Sequence, residues 1–161
     1  MRIIGIDPGL VKTGVGIIDV KGSNLSYVAS RTIRTNPKDD LSDRLLHLHT
    51  NLIEIIKEFK PEVAAIEETF VNKNPLSSLK LGHARGTLML TLALCDLKVH
   101  EYSSTAVKKA VVGVGRADKN QVQMMIKVLL PKSKCESEDE ADALAVAICY
   151  NSNSSYTGKY S

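Results

Sequence analysis

The apolar positions run first with the period of strands and then with that of helices. Ile3, Ile4 and Ile6 form a β-branched run that reads as a strand buried on both faces. The run ends in Asp7-Pro8-Gly9. Proline cannot donate to a sheet ladder and glycine frees the backbone, so the strand stops with a carboxylate at its tip. Thr13 to Val20 and Leu25 to Ser30 read as two more strands around the turn Lys21-Gly22-Ser23-Asn24. Three strands with short links suggest an antiparallel meander. From Asp40 the period changes: Leu41, Leu45, Leu48, Leu52, Ile55, Ile56 and Phe59 recur at three- and four-residue steps, the stripe of a long amphipathic helix. Asp40 is its expected N-cap and Pro61 its stop. Val63 to Ile66 is continuously apolar, as in a central strand covered on both sides, and it too ends in carboxylate, Glu67-Glu68.

A polar link leads into a helix over about Leu76 to Leu94. Gly82 and Gly86 lie four apart on one face of it and permit close approach of another backbone, either the protein's own sheet or a second subunit. Val99 to Tyr102 reads as a short strand and Thr105 to Val112 as a helix. The link Gly113-Val114-Gly115 lacks the Gly-Lys-Ser/Thr ending of a phosphate-binding loop. Asp118 and Gln121 form the capping box of a further helix, with Lys119 in its first turn. The last helix is expected from Ser137, with Glu140 completing a second capping box, to about Tyr150. Asp139 and Asp142 are three apart and therefore side by side, where like charges repel unless a cation lies between them. Glu138 and Glu140 read as acids that favour the helix N-terminus.

Composition bounds this pattern to one domain. At 161 residues, 43% hydrophobic and 24% charged, the chain suits a single unit over residues 1–150, and the Asn-, Ser- and Tyr-rich stretch 151–161 has too little to bury and is expected to be a disordered tail. No apolar run reaches membrane length, so a soluble protein with no membrane partner is expected. Three cysteines without CxxC spacing point to reduced thiols, a cytoplasmic location and no thiolate zinc site. Charge alters the picture once it is divided along the chain. Residues 71–134 hold eleven Lys or Arg and three acids, a net of +8, whereas the remainder holds ten bases and fifteen acids, a net of −5. A basic middle suits contact with a polyanion, and acidic ends suit a bound cation.

Taken alone, Asp7 is a turn residue at a strand end. Two acid-tipped buried strands and a helical acid pair together offer something more. Four carboxylates are a poor site for zinc and a natural one for Mg²⁺ or Mn²⁺, and two such ions activate water on one side of a phosphodiester while stabilising the leaving oxygen on the other. Strand alternation allows only one of Glu67 and Glu68 to face Asp7.

Five ordered blocks then resemble the RuvC family of bacterial Holliday junction resolvases. They are Ile4-Gly5-Ile6-Asp7-Pro8-Gly9 with Thr13-Gly14; Ala65-Ile66-Glu67 with Phe70; Leu79-Lys80-Leu81-Gly82 with Ala84-Arg85-Gly86; Val111-Val112-Gly113 with Lys119; and Asp139-x-x-Asp142-Ala143-Leu144-Ala145. The resemblance spans roughly residues 2–150. It implies an α/β RNase H-like fold, a five-stranded mixed sheet flanked by helices. It implies the catalytic and metal-binding set Asp7, Glu67, Asp139 and Asp142, and so selects Glu67 over Glu68. Lys108 and Lys119 match basic positions near the scissile phosphate, Phe70 matches an aromatic that stacks on a base at the opened junction, and Lys80 and Arg85 fall among the DNA-binding positions. It further implies two Mg²⁺ ions per subunit during catalysis, with Mn²⁺ able to substitute, and a homodimer whose candidate interface is the Gly82–Gly86 helix. Each subunit would nick one of two symmetry-related strands of a four-way junction, beside the RuvA and RuvB branch-migration complex. Val15, Glu68 and His83 depart from residues common in the family, and none of these changes removes one of the four acids.

Three other readings compete. A ribosomal RNA precursor nuclease of the same fold would share the acids but not the basic middle segment. An actin-like ATPase opens similarly, but 161 residues are too few for its two lobes. A non-catalytic junction-binding protein would have lost at least one acid.

Overall fold

In the computed structural model, residues 1–69 and 74–157 are described. Strands β1 (Arg2–Asp7), β2 (Lys12–Lys21) and β3 (Asn24–Arg34) form the antiparallel meander that the pattern predicts. Helix α1 (Leu41–Phe59) leads to β4 (Val63–Glu67), which pairs parallel with β1. Helix α2 (Pro75–Leu94) leads to β5 (Val99–Tyr102), parallel to β4. Helices α3 (Ser104–Val112), α4 (Lys119–Leu129) and α5 (Glu138–Thr157) complete the chain. The strand order is β3-β2-β1-β4-β5, a five-stranded mixed sheet with helices on both faces.

The continuous apolar runs in β1 and β4 follow from this layering. Strand side chains alternate, and here both faces are covered. Ile3, Val63 and Ala65 pack with the α3, α4 and α5 residues Val107, Ile126 and Leu144. Ile4, Ile6, Ala64 and Ile66 pack on the other side with Leu48 and Leu52 of α1 and Leu88 and Leu92 of α2. Asp7 and Glu67 continue the first set by parity, so each points to the α5 face. Ile6 pairs with Ile66, which leaves the two acids level at the tips of adjacent strands.

Helix α5 lies directly on the middle of the sheet. A Cβ on Gly5 would run into the carbonyl of Ala143 and come within 2.6 Å of the Ala147 nitrogen, and a Cβ on Gly14 would run into the carbonyl of Asp139. Those two glycines let the helix descend far enough for its first turn to reach the strand tips. Small residues on the helix side, Ala143, Ala145 and Ala147, are fully buried in the same contact.

Several local expectations are corrected. Asp40 has the extended backbone of an N-cap, but its side chain makes no cap hydrogen bond. β3 runs four residues beyond Ser30, because its outer half pairs with Lys12–Gly14 and meets the start of α5. α5 does not stop near Tyr150 but runs through Thr157, so residues 151–157 of the expected tail are helical, and 158–161 lie outside the described residues. Polar side chains there bond back to the preceding turn, Ser152 Oγ donating to the Ile148 carbonyl at 3.1 Å and Asn153 Nδ2 to that of Cys149 at 2.9 Å. Gly82 and Gly86 meet nothing within 4 Å of an added Cβ and are exposed, so the protein's own sheet is not what approaches them. No helix among the described residues is long and apolar enough to cross a membrane.

Candidate active site

Three elements deliver the acids. β1 ends at Asp7 because Pro8 follows, β4 ends beside it at Glu67, and α5 brings Asp139 and Asp142 down over Gly14. Asp7, Glu67 and Asp142 line one cavity of about 230 Å³ together with Ser104, Lys108 and Lys119. Asp7 and Glu67 also line an adjoining cleft of about 250 Å³, with Glu68, Thr69 and Leu81. Asp139 is half-buried, and its charge acts on both Asp7 and Asp142.

The electrostatics are those of crowded carboxylates. Burial, then the negative charges of Glu67, Asp142 and Asp139, push the Asp7 carboxyl up to about 8. Glu67 is raised as well, chiefly by burial; hydrogen bonds from Ser104 and with Asp7 and the charge of Lys108 oppose the rise. Asp142 is raised by burial, against the pull of Lys119, with Asp139 and Glu138 adding to the rise. The two lysines therefore offset the negative charge only in part.

This donor set fits a hard divalent cation: carboxylate oxygens from three elements, in one cavity, short of positive charge. Among the described residues no three Asp, Glu, His or Cys side chains already converge closely enough to hold an ion. A larger cleft of about 390 Å³ opens between α4 and the start of α5, but there Lys127 and Lys134 are mixed with Glu136 and Glu138 and no like groups converge.

The other sequence-predicted residues are placed differently from one another. Lys108 is half-buried in the acid cavity. Lys119 lines it while exposed, with Nζ 3.6 Å from Glu138. Lys80 is exposed on α2 and lines neither acid-bearing cleft. Arg85 is already engaged: Nε donates to the Glu67 carbonyl at 3.1 Å and Nη2 pairs with Glu101, so it braces the tip of β4. Phe70 lies outside the described residues. Glu68 is exposed, which agrees with the strand parity that turns Glu67 inward.

Two residues escaped sequence reasoning. Ser104, in the first turn of α3, bonds Glu67; its only signal was a Ser-Ser pair before a helix, which reads as capping. Glu140, which the pattern reads as an acid favouring the helix N-terminus, is buried, 4% exposed. Its carboxylate accepts from the Glu136 amide and from β3 hydroxyls, so only half of the expected capping box forms, the Glu140 amide donating to Ser137 Oγ at 3.3 Å.

Known proteins resemble this chain over most of its length. The family model described as crossover junction endodeoxyribonuclease RuvC matches residues 3–150. The protein of that name from Rhizobium leguminosarum bv. trifolii is 52% identical over 153 residues, 95% of this chain and 90% of that protein. Its counterpart from Xanthobacter autotrophicus is 54% identical over 137 residues, 85% of this chain and 81% of that protein. Thermus thermophilus RuvC in complex with a Holliday junction substrate superposes with a TM-score of 0.91 at 28% identity, covering 98% of this chain and 96% of that one. The five-stranded sheet and its helices are thus the RNase H-like fold of those structures, and the chain belongs to the RuvC family of crossover junction endodeoxyribonucleases.

Proposed function

We propose that this protein resolves Holliday junctions, as a structure-selective endodeoxyribonuclease of homologous recombination and DNA repair. The observation that carries the reading is the meeting of Asp7, Glu67 and Asp142, with Asp139 beside them, at one end of the sheet in a chain of this family. The nuclease domain takes in residues 1–150 together with the rest of α5, to Thr157.

Asp7, Glu67, Asp139 and Asp142 would hold the divalent ions, Mg²⁺ with Mn²⁺ able to replace it, two per subunit in the reacting complex. Those ions supply an activated water for attack on the phosphodiester and a counter-charge for the leaving oxygen. The chain's own part is binding and orientation. Ser104 and the Arg85 contact to the Glu67 backbone hold the β4 acid in place. Lys108 within the cavity and Lys119 at its rim position the scissile phosphate and offset charge as it develops. Lys80 contributes a phosphate contact away from the cavity, Arg85 acts mainly through Glu67, and Phe70 stacks on a base at the opened centre.

Paired, symmetric nicks call for two active sites related by a two-fold axis. Leu76, Leu79, Leu90 and Leu94 are each at least 60% exposed on α2, and with Gly82, His83 and Gly86 they form one outward stripe. A second copy of this helix is the occupant that such a stripe fits, so the protein acts as a homodimer. Family membership supports a cytoplasmic location and work beside the RuvA and RuvB branch-migration complex.

Incubation with a mobile four-way junction and with a matching linear duplex tests the reading. Cutting of the junction alone, in Mg²⁺ and not in EDTA, is expected; equal cutting of both substrates, or cutting in EDTA, would contradict it.

A further inference from the structure

The acids at the start of α5 point in different directions. Asp139 and Asp142 share the side turned to the strand tips. Glu140 lies one residue on, about 100° around the helix, and faces β3 instead. A buried carboxylate is costly unless its lone pairs are filled, and this one is met by three donors. Ser30 Oγ donates to Oε2 at 2.7 Å, Thr32 Oγ1 to Oε1 at 3.1 Å, and the Glu136 amide to Oε2 at 3.0 Å. Ser137 Oγ lies 2.8 Å from Thr32 Oγ1, and the Tyr27 hydroxyl 3.1 Å from Ser30 Oγ, which ties these hydroxyls to one another. The carboxylate therefore spans from the edge strand of the sheet to the turn before α5.

We propose that Glu140 is a positioning residue for the acid site: by fastening the first turn of α5 to Ser30 and Thr32, it sets the helix rotation that aims Asp139 and Asp142 at Asp7 and Glu67. The proposal rests on the reading of those four acids as the ion site. The start of a helix is its least restrained part, and here Asp139 in the first turn and Asp142 just beyond it face two other acids. Their repulsion tends to turn it away before any cation arrives. The contact of the Asp139 carbonyl with Gly14 limits how far the turn can rise or sink, and the contacts of Ala143 and Leu144 with Gly5 and Gly16 seat the helix further along, which leaves the first turn without a backbone contact on its β3 side. Glu140 supplies the missing restraint from the side. Its donors are neutral, so it holds the turn without placing a competing cation near the acids.

The test uses the full chain with Glu140→Ala, Glu140→Gln and Thr32→Val, and a control, Leu52→Ala, which destabilises the far layer of the core. Mn²⁺ affinity is measured by calorimetry without DNA, and kcat and KM on a four-way junction in Mg²⁺. Glu140→Ala is expected to weaken Mn²⁺ binding and to lower kcat by about tenfold or more, with KM within about twofold of wild type. Glu140→Gln keeps an acceptor oxygen and recovers most of both losses. Thr32→Val leaves Glu140 in place but removes one donor, falls between these, and carries the test should Glu140→Ala not fold. Leu52→Ala lowers the melting temperature while leaving Mn²⁺ affinity unchanged. Wild-type Mn²⁺ affinity in folded Glu140→Ala or Thr32→Val, or an equal loss in Leu52→Ala, would overturn the positioning role. Absence of Mn²⁺ binding in the wild-type protein would instead overturn the reading of the four acids themselves.

Discussion

Asp7 sits where its charge is least welcome, half-buried at a strand tip with three other acids around it. Its carboxyl is raised to about 8 against an ordinary value near 3.8, so the native ion-free protein binds a proton that the unfolded chain has already lost. Stability should therefore fall as pH rises from about 4 to about 8, with the full penalty above 8, on the order of a few kcal/mol. Asp7→Asn removes that slope. Thermal melts of the ion-free protein at pH 8 should place the variant above wild type by roughly 5 °C or more, and the gap should close toward pH 4.5. Mg²⁺ should raise the wild-type melting temperature and leave that of Asp7→Asn nearly unchanged. A variant less stable than wild type at pH 8 would mean that Asp7 serves the fold.

Much of the residue scale was legible in the sequence. A carboxylate after three isoleucines and before Pro-Gly announces a strand tip, and two aspartates three apart announce a shared helix face. The choice between Glu67 and Glu68 was not legible from spacing, because it depends on which face of β4 meets α5. Val63 and Ala65 settle it by packing with that helix. Glu140 was hidden for the same reason. In sequence it is one more acid at a helix start, and only the approach of β3 makes it a buried anchor.

At the scale of elements, two contacts carry most of the consequence. The first is the bed on which α5 lies. Gly14→Ala would force a methyl into the Asp139 carbonyl. Such overpacking typically costs ~1–3 kcal/mol and here also displaces the first turn, so urea unfolding should show that loss alongside a fall in junction cutting of about tenfold or more. The second is the outward stripe of α2. Its amphipathic pattern is weak because the helix is apolar on both sides, with Leu88 and Leu92 facing inward and Leu90 and Leu94 outward. That double-sidedness is why the glycine pair left its partner undecided until the structure showed it exposed. Leu90→Asp should shift the protein from dimer to monomer in sedimentation, weakening association by about a hundredfold or more. It should leave the fold unaltered and convert paired nicks to single ones. A dimer that persists would place the interface elsewhere.

At the scale of the whole molecule, the fold puts carboxylates at one end of the sheet and leaves much of the basic middle segment on the helices around it. Lys108 and Lys119 come from α3 and α4, beside the acids that β1, β4 and α5 deliver. Such a division lets one surface grip a polyanion while the cavity keeps the negative charge that a cation requires. The basic middle and acidic ends of the chain hinted at it, but only the order β3-β2-β1-β4-β5 explains how segments so far apart in sequence meet. Junction affinity should accordingly fall steeply with salt, by about tenfold or more between 50 and 200 mM.

In the proposed function, chemistry resides in the acids and recognition in the basic surface around them. Asp7→Asn, assayed on a four-way junction for binding without Mg²⁺ and for cutting with it, tests this most directly. Junction affinity within about twofold of wild type is expected, with cutting reduced by about a thousandfold or more. A folded variant that still cuts, or one that no longer binds the junction, would contradict it.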